Sequence, residues 1–199
     1  MSLRFQDILP LAQFTLNDPR RGLRAVLNLG LPLQTGVLAL MLIAVLSALI
    51  SHAQLALMPV AGNPLLDFLM GSPFRSALIQ AAGLLLTAGM IHWIGRAWGG
   101  TGRLDEAVWA VAWLQVFMLI LQLGELVAIL LFMPQLALMA TLVGLAASCW
   151  LISMFVAEVH GFRSPVKVFF GIVASTVAIS FVLSFLLVGI MGPEAFTNV

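Results

Sequence analysis

Charged residues are scarce in this 199-residue chain, because lysine, arginine, aspartate and glutamate together make up only 9% of it. An ordinary soluble domain carries about 25%. Since 62% of the residues are hydrophobic, so few charges cannot coat a soluble core, and lipid must be the solvent for much of the chain. The formal net charge is only +1, so no strong field attracts nucleic acid, and we expect no nucleic-acid partner.

Cysteine and catalytic sequence patterns are equally sparse. The single cysteine, Cys149, excludes an intramolecular disulfide. Cys149 and the three histidines lie on four different predicted elements, so we expect no metal site and no cofactor. No Gly-x-Ser-x-Gly motif is present, and residues 1–30 contain no cleavable signal pattern. We therefore predict that the protein is not an enzyme and has no catalytic residues.

Five apolar runs each reach the roughly 20 residues that a membrane crossing needs. We place the spans at residues 33–55, 75–98, 106–133, 135–159 and 165–191. Prolines and glycines between the first two spans predict an external loop with a short interfacial helix at residues 64–70. The predicted fold is an all-α integral membrane bundle of five transmembrane helices over residues 31–199. A cytoplasmic or interfacial amphipathic segment at residues 1–30 precedes it.

This N-terminal segment predicts amphipathic helices at the membrane surface. Apolar residues recur at helical spacing from Phe5 to Leu11, and we expect Pro10 to break the first helix. Asp18 and Pro19 are typical of the N-cap and first residue of a second helix. We expect its basic residues to contact an anionic leaflet: Arg20, Arg21 and Arg24. We interpret the segment as a topology anchor on lipid; the alternative is an arm that binds a partner.

Basic residues are distributed unequally between the two sides of the predicted membrane domain. The segments on the side of the N-terminus hold eight, and those on the other side hold only Arg75. Because cytoplasmic segments are enriched in lysine and arginine, we expect a cytoplasmic N-terminus and, after five crossings, a periplasmic C-terminus. The eight are Arg4, Arg20, Arg21, Arg24, Arg96, Arg103, Arg163 and Lys167.

Two short turns join the later spans on that basic side. The first contains Gly-Gly-Thr-Gly at residues 99–102; no strand precedes it and no Gly-Lys-Ser/Thr follows, so we interpret it as a tight turn and not a phosphate cradle. Asp105 and Glu106 then complement the N-terminus of the third span. At the second turn we predict an exposed ion pair of Glu158 with Lys167 or Arg163.

Glu125 is a carboxylate inside the third span, twelve residues beyond Trp113, or about 18 Å deep at 1.5 Å per residue. Intramembrane carboxylates are costly and usually face the bundle interior. Pairing positions across the preceding turn predicts a polar cluster with Arg75 as counter-charge: Arg75, Gln80, Gln122 and Glu125. We interpret the cluster as a buried polar lock between helices. The alternative is a proton or cation site, although no other span supplies a second carboxylate.

Small residues recur four apart in the last two spans: Ala140, Gly144 and Ser148, then Gly171 with Ser175, and Ala174 with Ala178. Such faces allow helices to approach closely. We expect them to pack spans four and five together; the alternative is a contact between two copies of the chain.

The two turns and the N-terminal segment resemble the Yip1 family of multi-pass membrane proteins with a cytoplasmic N-terminal region. The resembling residues are Gly99, Gly100, Gly102, Arg103, Glu106, Ala107 and Ala112-Trp113, then Glu158, His160, Gly161 and Val166-Lys167, with Asp18-Pro19-Arg20 before the first span. Eukaryotic relatives carry an Asp-Leu-Tyr-Gly-Pro signature, whereas this chain has no tyrosine. The resemblance therefore implies a bacterial inner-membrane relative and not a role with Rab-type GTPases in vesicle traffic.

These patterns together predict a non-enzymatic Yip1-like protein of the bacterial inner membrane that organises the membrane or acts as a scaffold. Its expected partners are membrane lipids and a membrane protein or a second copy of the chain. The alternative is a small ion- or solute-conducting transporter or channel that uses Glu125. An enzyme acting on lipid ranks third, because neither interface shows convergent polar groups.

Overall fold

Two short helices precede the bundle. In the computed structural model, which describes residues 5–58 and 71–191, α1 spans Phe5–Asn17 and α2 spans Pro19–Leu27. Asp18 caps α2 as predicted, because its side chain accepts a hydrogen bond from the backbone N–H of Arg21 at 3.1 Å. Pro10 lies inside α1, so the predicted break is wrong. Proline has no backbone N–H to donate, so α1 lacks one hydrogen bond at this position. The helix continues because only a short stretch of helix precedes Pro10.

Five long apolar helices follow within the described ranges, and each has the length and composition to cross a membrane. They are α3 (Leu33–Leu57), α4 (Pro73–Ala97), α5 (Leu104–Leu130), α6 (Pro134–His160) and α7 (Pro165–Met191). The predicted all-α fold with five spans is confirmed, and no predicted end moves by more than three residues. The predicted interfacial helix at residues 64–70 lies outside the described residues.

The connection between α5 and α6 is a tight hairpin, as the proline at its end predicts. Phe132 has a φ of 55°, in the left-handed region that non-glycine residues seldom adopt. This side chain is 91% exposed. Pro134 then occupies the first position of α6, where its missing N–H leaves no helical hydrogen bond unmade. The third span therefore ends at Leu130 and not at residue 133.

Helix α5 forms the centre of the bundle. It packs more extensively against α3 and α6 than against α4, its neighbour across the preceding turn. On one side Trp113 and Phe117 meet edge to face, with ring centroids 5.6 Å apart, and pack with Phe155 of α6. On the other side Val111 packs against Leu40 of α3. The central position of α5 explains why its first half is the most deeply buried part of any long helix.

Helices α1 and α2 pack against the bundle. Leu23 of α2 is fully buried in the same cluster as Phe155. Trp113 of α5 donates its indole N–H to the hydroxyl of Thr15 in α1 at 3.1 Å. Thr15 lies so close to Gly22 that a Cβ at position 22 would come within 3.0 Å of it. Only glycine allows α1 and α2 to approach this closely.

Helix α7 lies at the edge of the bundle. It packs mainly against α6, close to the turn that joins them, where Val168 meets Val156 and Ala157. Farther along α7 the apolar side chains are exposed, with Val177 at 63% and Phe181 at 73%. In a membrane this part of α7 contacts lipid.

Candidate functional site

One end of the bundle brings α1 and α2 together with two turns. These are the α4–α5 turn at residues 98–103 and the α6–α7 turn at residues 161–164. We call this end the turn face. It contains the sequence-predicted turn residues and the basic residues of α2, and a histidine lies at its centre.

His160 is the last residue of α6 and is 3% exposed. Three glycines surround its imidazole ring: Gly95 at the end of α4, and Gly100 and Gly102 in the following turn. A Cβ at any of the three would come closer than 3.0 Å to a ring atom. The glycines therefore form a socket for the ring, and a larger residue at any of these positions would displace it.

Hydrogen bonds fix the tautomer of His160. The backbone N–H of Gly102 donates to Nδ1 at 3.2 Å, so Nδ1 carries no hydrogen. Nε2 therefore carries it and donates to the carbonyl of Ile91 at 3.0 Å. The ring also stacks on Phe162, with centroids 5.6 Å apart. His160 is thus a neutral side chain that joins α4, the α4–α5 turn and the α6–α7 turn.

The other predicted residues of the first turn have local roles. Gly99 has a φ of 87° after the end of α4, a left-handed conformation that favours glycine. The backbone N–H of Arg103 donates to Glu106 Oε2 at 2.8 Å and caps α5. The Arg103 guanidinium pairs with Asp105 at 2.9 Å. The turn is therefore tight, and both carboxylates lie in the first turn of α5, as predicted.

A buried carboxylate connects α2 to the turn face. The Glu158 side chain is only 7% exposed. Its Oε2 accepts a hydrogen bond from Arg20 Nε at 2.9 Å, and its Oε1 pairs with Arg24. Arg20 also donates to the carbonyl of Phe162 at 3.0 Å. Glu158 therefore holds two arginines of α2 across the α6–α7 turn through charge-assisted hydrogen bonds.

The predicted partners of Glu158, Lys167 and Arg163, are wrong. Among the described residues, Glu158 forms ion pairs with Arg20 and Arg24. The prediction paired positions of α6 with positions of α7 only, whereas α2 packs against α6 and brings its arginines to the carboxylate.

The structure adds a contact with the bundle to the role predicted for the basic residues of α2. Arg20 and Arg24 were expected to contact an anionic leaflet, but both are directed toward Glu158. The Arg21 side chain is 80% exposed and pairs with Asp18 at 3.2 Å. The Arg24 side chain is 66% exposed as well, so both arginines can reach a lipid surface, and the leaflet contact stays a prediction. The predicted amphipathic helix is present, and its charged side includes contacts with the bundle.

A family model of the Yip1 domain matches residues 15–189, which is most of the chain. The chain belongs to the Yip1 family. No curated protein and no solved structure gives a match. With five helices able to span a membrane, this Yip1 protein is a multi-pass membrane protein, as its composition predicts. The match includes α2, both turns of the turn face and nearly all of α7.

A second polar cluster of this Yip1 protein lies inside the bundle, between α3 and α5. The Gln122 side-chain oxygen Oε1 accepts a hydrogen bond from the Ser47 hydroxyl at 2.8 Å. The Gln122 amide donates to the Ser51 hydroxyl at 2.8 Å and to the Ser47 carbonyl at 3.2 Å. These bonds satisfy the Gln122 side chain from α3 alone, which fixes the register of the two helices.

Glu125 extends this cluster toward α6. Its Oε1 accepts a hydrogen bond from the Thr141 hydroxyl at 2.9 Å. The Gln54 side-chain amide lies 3.5 Å from Oε2 of Glu125, and it donates to the backbone carbonyl of Gln122 at 3.3 Å. Among the described residues, no cation forms an ion pair with Glu125. The carboxylate therefore links three helices through neutral donors.

The predicted four-residue cluster is only half assembled. Gln122 and Glu125 share one cluster, but their hydrogen bonds lead to α3 and α6, and neither Arg75 nor Gln80 of α4 is a partner. The prediction assumed that α4 and α5 remain in contact along their whole length. Instead, hydrogen bonds join this part of α5 to α3 and α6. A short turn fixes where two membrane helices meet, and packing decides where they separate.

The histidines do not form one cluster, although His92 and His160 both bond the Gly102 backbone. His52 lies 3.1 Å from the Ser76 hydroxyl, and His92 Nδ1 donates to the Gly102 carbonyl at 3.1 Å. His160 occupies the glycine socket. Within residues 5–58 and 71–191, no three side chains of the kinds that bind metals converge.

Sequence reasoning missed the partners of Gln122 and Glu125, yet a signal was available. Ser47, Ser51 and Gln54 are four and three residues apart, so they lie on one face of α3. A polar stripe inside an apolar span is expected to face protein. The glycine socket has a weaker signal, because the sequence marks the turn glycines but nothing local connects them with a histidine some 60 residues later.

Replacing Gln122 with leucine should lower the free energy of unfolding by about 1–2 kcal/mol. The change removes hydrogen bonds to Ser47 and Ser51, and such contacts between membrane helices contribute on average about 0.6 kcal/mol each, at most about 1.7. The thermal midpoint in mild detergent measures this. Leu123→Met, at a neighbouring position that is 46% exposed, should leave the midpoint unchanged. Equal midpoints for Gln122→Leu and the wild type would show that the cluster does not stabilise the bundle.

Proposed function

We propose that this protein is a non-enzymatic component of the bacterial inner membrane that organises the membrane or holds a partner protein. The observation that carries the proposal is the turn face, where Glu158 and His160 join α2, α4 and two turns into one packed surface. A surface held at several points loses little conformational entropy when a partner binds. That property suits a scaffold.

A cleft of about 590 Å³ beside the turn face supports a protein as the partner. It lies between the α2–α3 connection and the start of α5. Arg103 and Asp105 place charges of both signs at its wall, next to Trp109. Trp109 donates its indole N–H to the Leu31 carbonyl at 3.2 Å, which holds the connection in place. Charges of both signs around an aromatic side chain favour a polypeptide segment over a uniformly anionic ligand.

A photoreactive amino acid at Arg103 tests the partner directly. Irradiation of native membranes should give one discrete protein adduct, identified by mass spectrometry, and Asp105→Lys should weaken it because the charge at the cleft is reversed. The control probe replaces Leu86, which is 65% exposed on α4, and should yield lipid adducts only. The scaffold proposal loses its support if probes at Arg103 and at Asp105 both fail to capture a protein.

We place the turn face in the cytoplasm and the C-terminus in the periplasm, because seven of the eight basic residues that the structure describes lie on the turn-face side of the spans. In a Cys149→Ser background, Thr101→Cys should resist an impermeant maleimide in intact cells and react after the cells are opened. Gly71→Cys, before the start of α4, should react in intact cells. The opposite labelling pattern would reverse the orientation.

A small transporter is the second candidate, favoured by one observation. Glu125 lies within a membrane-spanning helix and is hydrogen-bonded only by neutral groups among the described residues. Such carboxylates often carry protons or cations. In liposomes with an enclosed pH dye, a transporter would give a flux that Glu125→Gln abolishes while stability is retained. The scaffold proposal expects no flux from either protein.

A further inference from the structure

A groove separates α4 from α7 on the flank of the bundle. It is a cavity of about 540 Å³ whose walls are apolar over most of their length, with Ile91 and Ile94 from α4 and Ile172 from α7. Val156 of α6 also lines it. The groove exists because α7 packs mainly against α6. Its open side faces the surroundings of the bundle, which in a membrane are lipid.

Two cations line the mouth of the groove, at the turn face. Arg163 lies in the α6–α7 turn and Lys167 in the first turn of α7, and both are exposed. Neither forms an ion pair with any residue in the described ranges, because Glu158 is already bound by two arginines of α2. Ser164 and the N-terminus of α7 lie at the same mouth, and a helix N-terminus favours anions. The mouth therefore suits a negatively charged group.

The groove has the depth of one membrane leaflet. It runs along α7 from Ser164 to Thr176, twelve residues later, which corresponds to about 18 Å at 1.5 Å per residue. One leaflet of hydrocarbon is about 15 Å thick. Gly171 lies between these ends, and a Cβ there would meet no heavy atom within 4 Å. The small-residue face of Gly171 and Ser175, expected to pack against the fourth span, lines this groove instead.

We propose that this groove binds one anionic phospholipid. The phosphate and the headgroup charge lie at Arg163, Lys167 and Ser164, and one acyl chain lies along Gly171 and Ile172. Basic residues at a membrane surface select lipids with net negative charge over zwitterionic ones. Contact with the groove walls adds the packing attraction that holds apolar groups together within hydrocarbon. The bound lipid joins α7 to α4, which α7 otherwise contacts little.

Native mass spectrometry of the delipidated full chain in mild detergent tests the headgroup half of the proposal. The probes are phosphatidylglycerol and phosphatidylcholine with identical acyl chains, added at equal concentration. The wild type should retain one phosphatidylglycerol about tenfold more strongly, because two basic residues at the surface each add a several-fold preference. Arg163→Gln with Lys167→Gln should abolish the preference. Arg21→Gln with Arg96→Gln removes the same charge outside the groove and should preserve it.

A second pair of variants tests the acyl-chain half. Gly171→Leu fills the groove from a position with free space, so it should lower retention of both lipids without lowering the thermal midpoint. Gly124→Leu also adds a side chain where no heavy atom lies within 4 Å, but on α5 and outside the groove. It should leave retention at the wild-type level.

Three results would overturn the proposal, and the dimer named last is one of them. The first is equal retention of phosphatidylglycerol and phosphatidylcholine by the wild type, which would mean that the cations select no headgroup. The second is unchanged retention by Gly171→Leu, which would place the lipid elsewhere. If Gly171→Leu fails to fold, the variant with both Arg163→Gln and Lys167→Gln still tests the proposal. Loss of the phosphatidylglycerol preference in that variant would support it, and persistence of the preference would contradict it. Wild-type dimers that exclude lipid would assign the groove to a second copy of the chain.

Discussion

Replacing Glu158 with glutamine should release α1 and α2 from the turn face and lower the free energy of unfolding by about 2 kcal/mol. Breaking a fully buried ion pair costs about 3–5 kcal/mol. The cost is smaller here because the Arg20 and Arg24 side chains are 33% and 66% exposed and can regain water. Hydrogen exchange should show the release as loss of amide protection in α2, with α3 to α6 still protected.

The matched control replaces the carboxylate of an exposed pair. Asp105→Asn weakens its contact with Arg103, whose side chain is 74% exposed, and should cost less than about 1 kcal/mol. Arg20→Gln combined with Glu158→Gln should cost less than the sum of the two single changes, because both remove the same contact. Full protection of α2 in Glu158→Gln would show that apolar packing alone holds these helices.

Replacing Gly95 with alanine should destabilise the protein by about 1–3 kcal/mol, although alanine is the better helix former. The added Cβ overlaps the His160 ring, and overpacking of this kind typically costs about 1–3 kcal/mol. Displacing the ring also breaks its hydrogen bonds to Ile91 and Gly102. The thermal midpoint in detergent measures the effect.

Gly89 provides a control on the same helix. A Cβ there meets no heavy atom within 4 Å, so Gly89→Ala should be neutral or stabilising by up to about 1 kcal/mol. Removing the ring with His160→Ala should relieve the overlap. The loss of unfolding free energy in the double variant of Gly95→Ala and His160→Ala should therefore be smaller than the sum of the two single losses. If Gly95→Ala and Gly89→Ala behave alike, the socket does not hold the ring tightly.

The fold could be predicted from the sequence because length and apolarity decide where a chain crosses a membrane. Proline and glycine mark the ends, as Pro134 and Pro165 do at the starts of α6 and α7. The start of α2 at Asp18 and Pro19 could also be predicted from the sequence, because helix capping depends on neighbouring residues only. These features are local, and local chemistry was enough to specify them.

The candidate site was harder to predict because its contacts join distant elements. Each long helix is apolar on all sides, so the sequence does not reveal which face meets which neighbour. Glu158 was paired with residues close in sequence, whereas Arg20 lies 138 positions away. Glu125 was assigned to α4 for the same reason. In both cases the prediction considered one adjacent helix only, and another helix supplies the partner.

The central claim is that the N-terminal helices and the turn face form one rigid unit, and a spin-label distance measurement in lipid bilayers tests it most directly. Labels at Arg21→Cys on α2 and Val166→Cys on α7, both exposed, are introduced in a Cys149→Ser background. We predict a single narrow distance distribution that broadens when Glu158→Gln is added. A broad distribution in the parent protein, unchanged by Glu158→Gln, would contradict the claim.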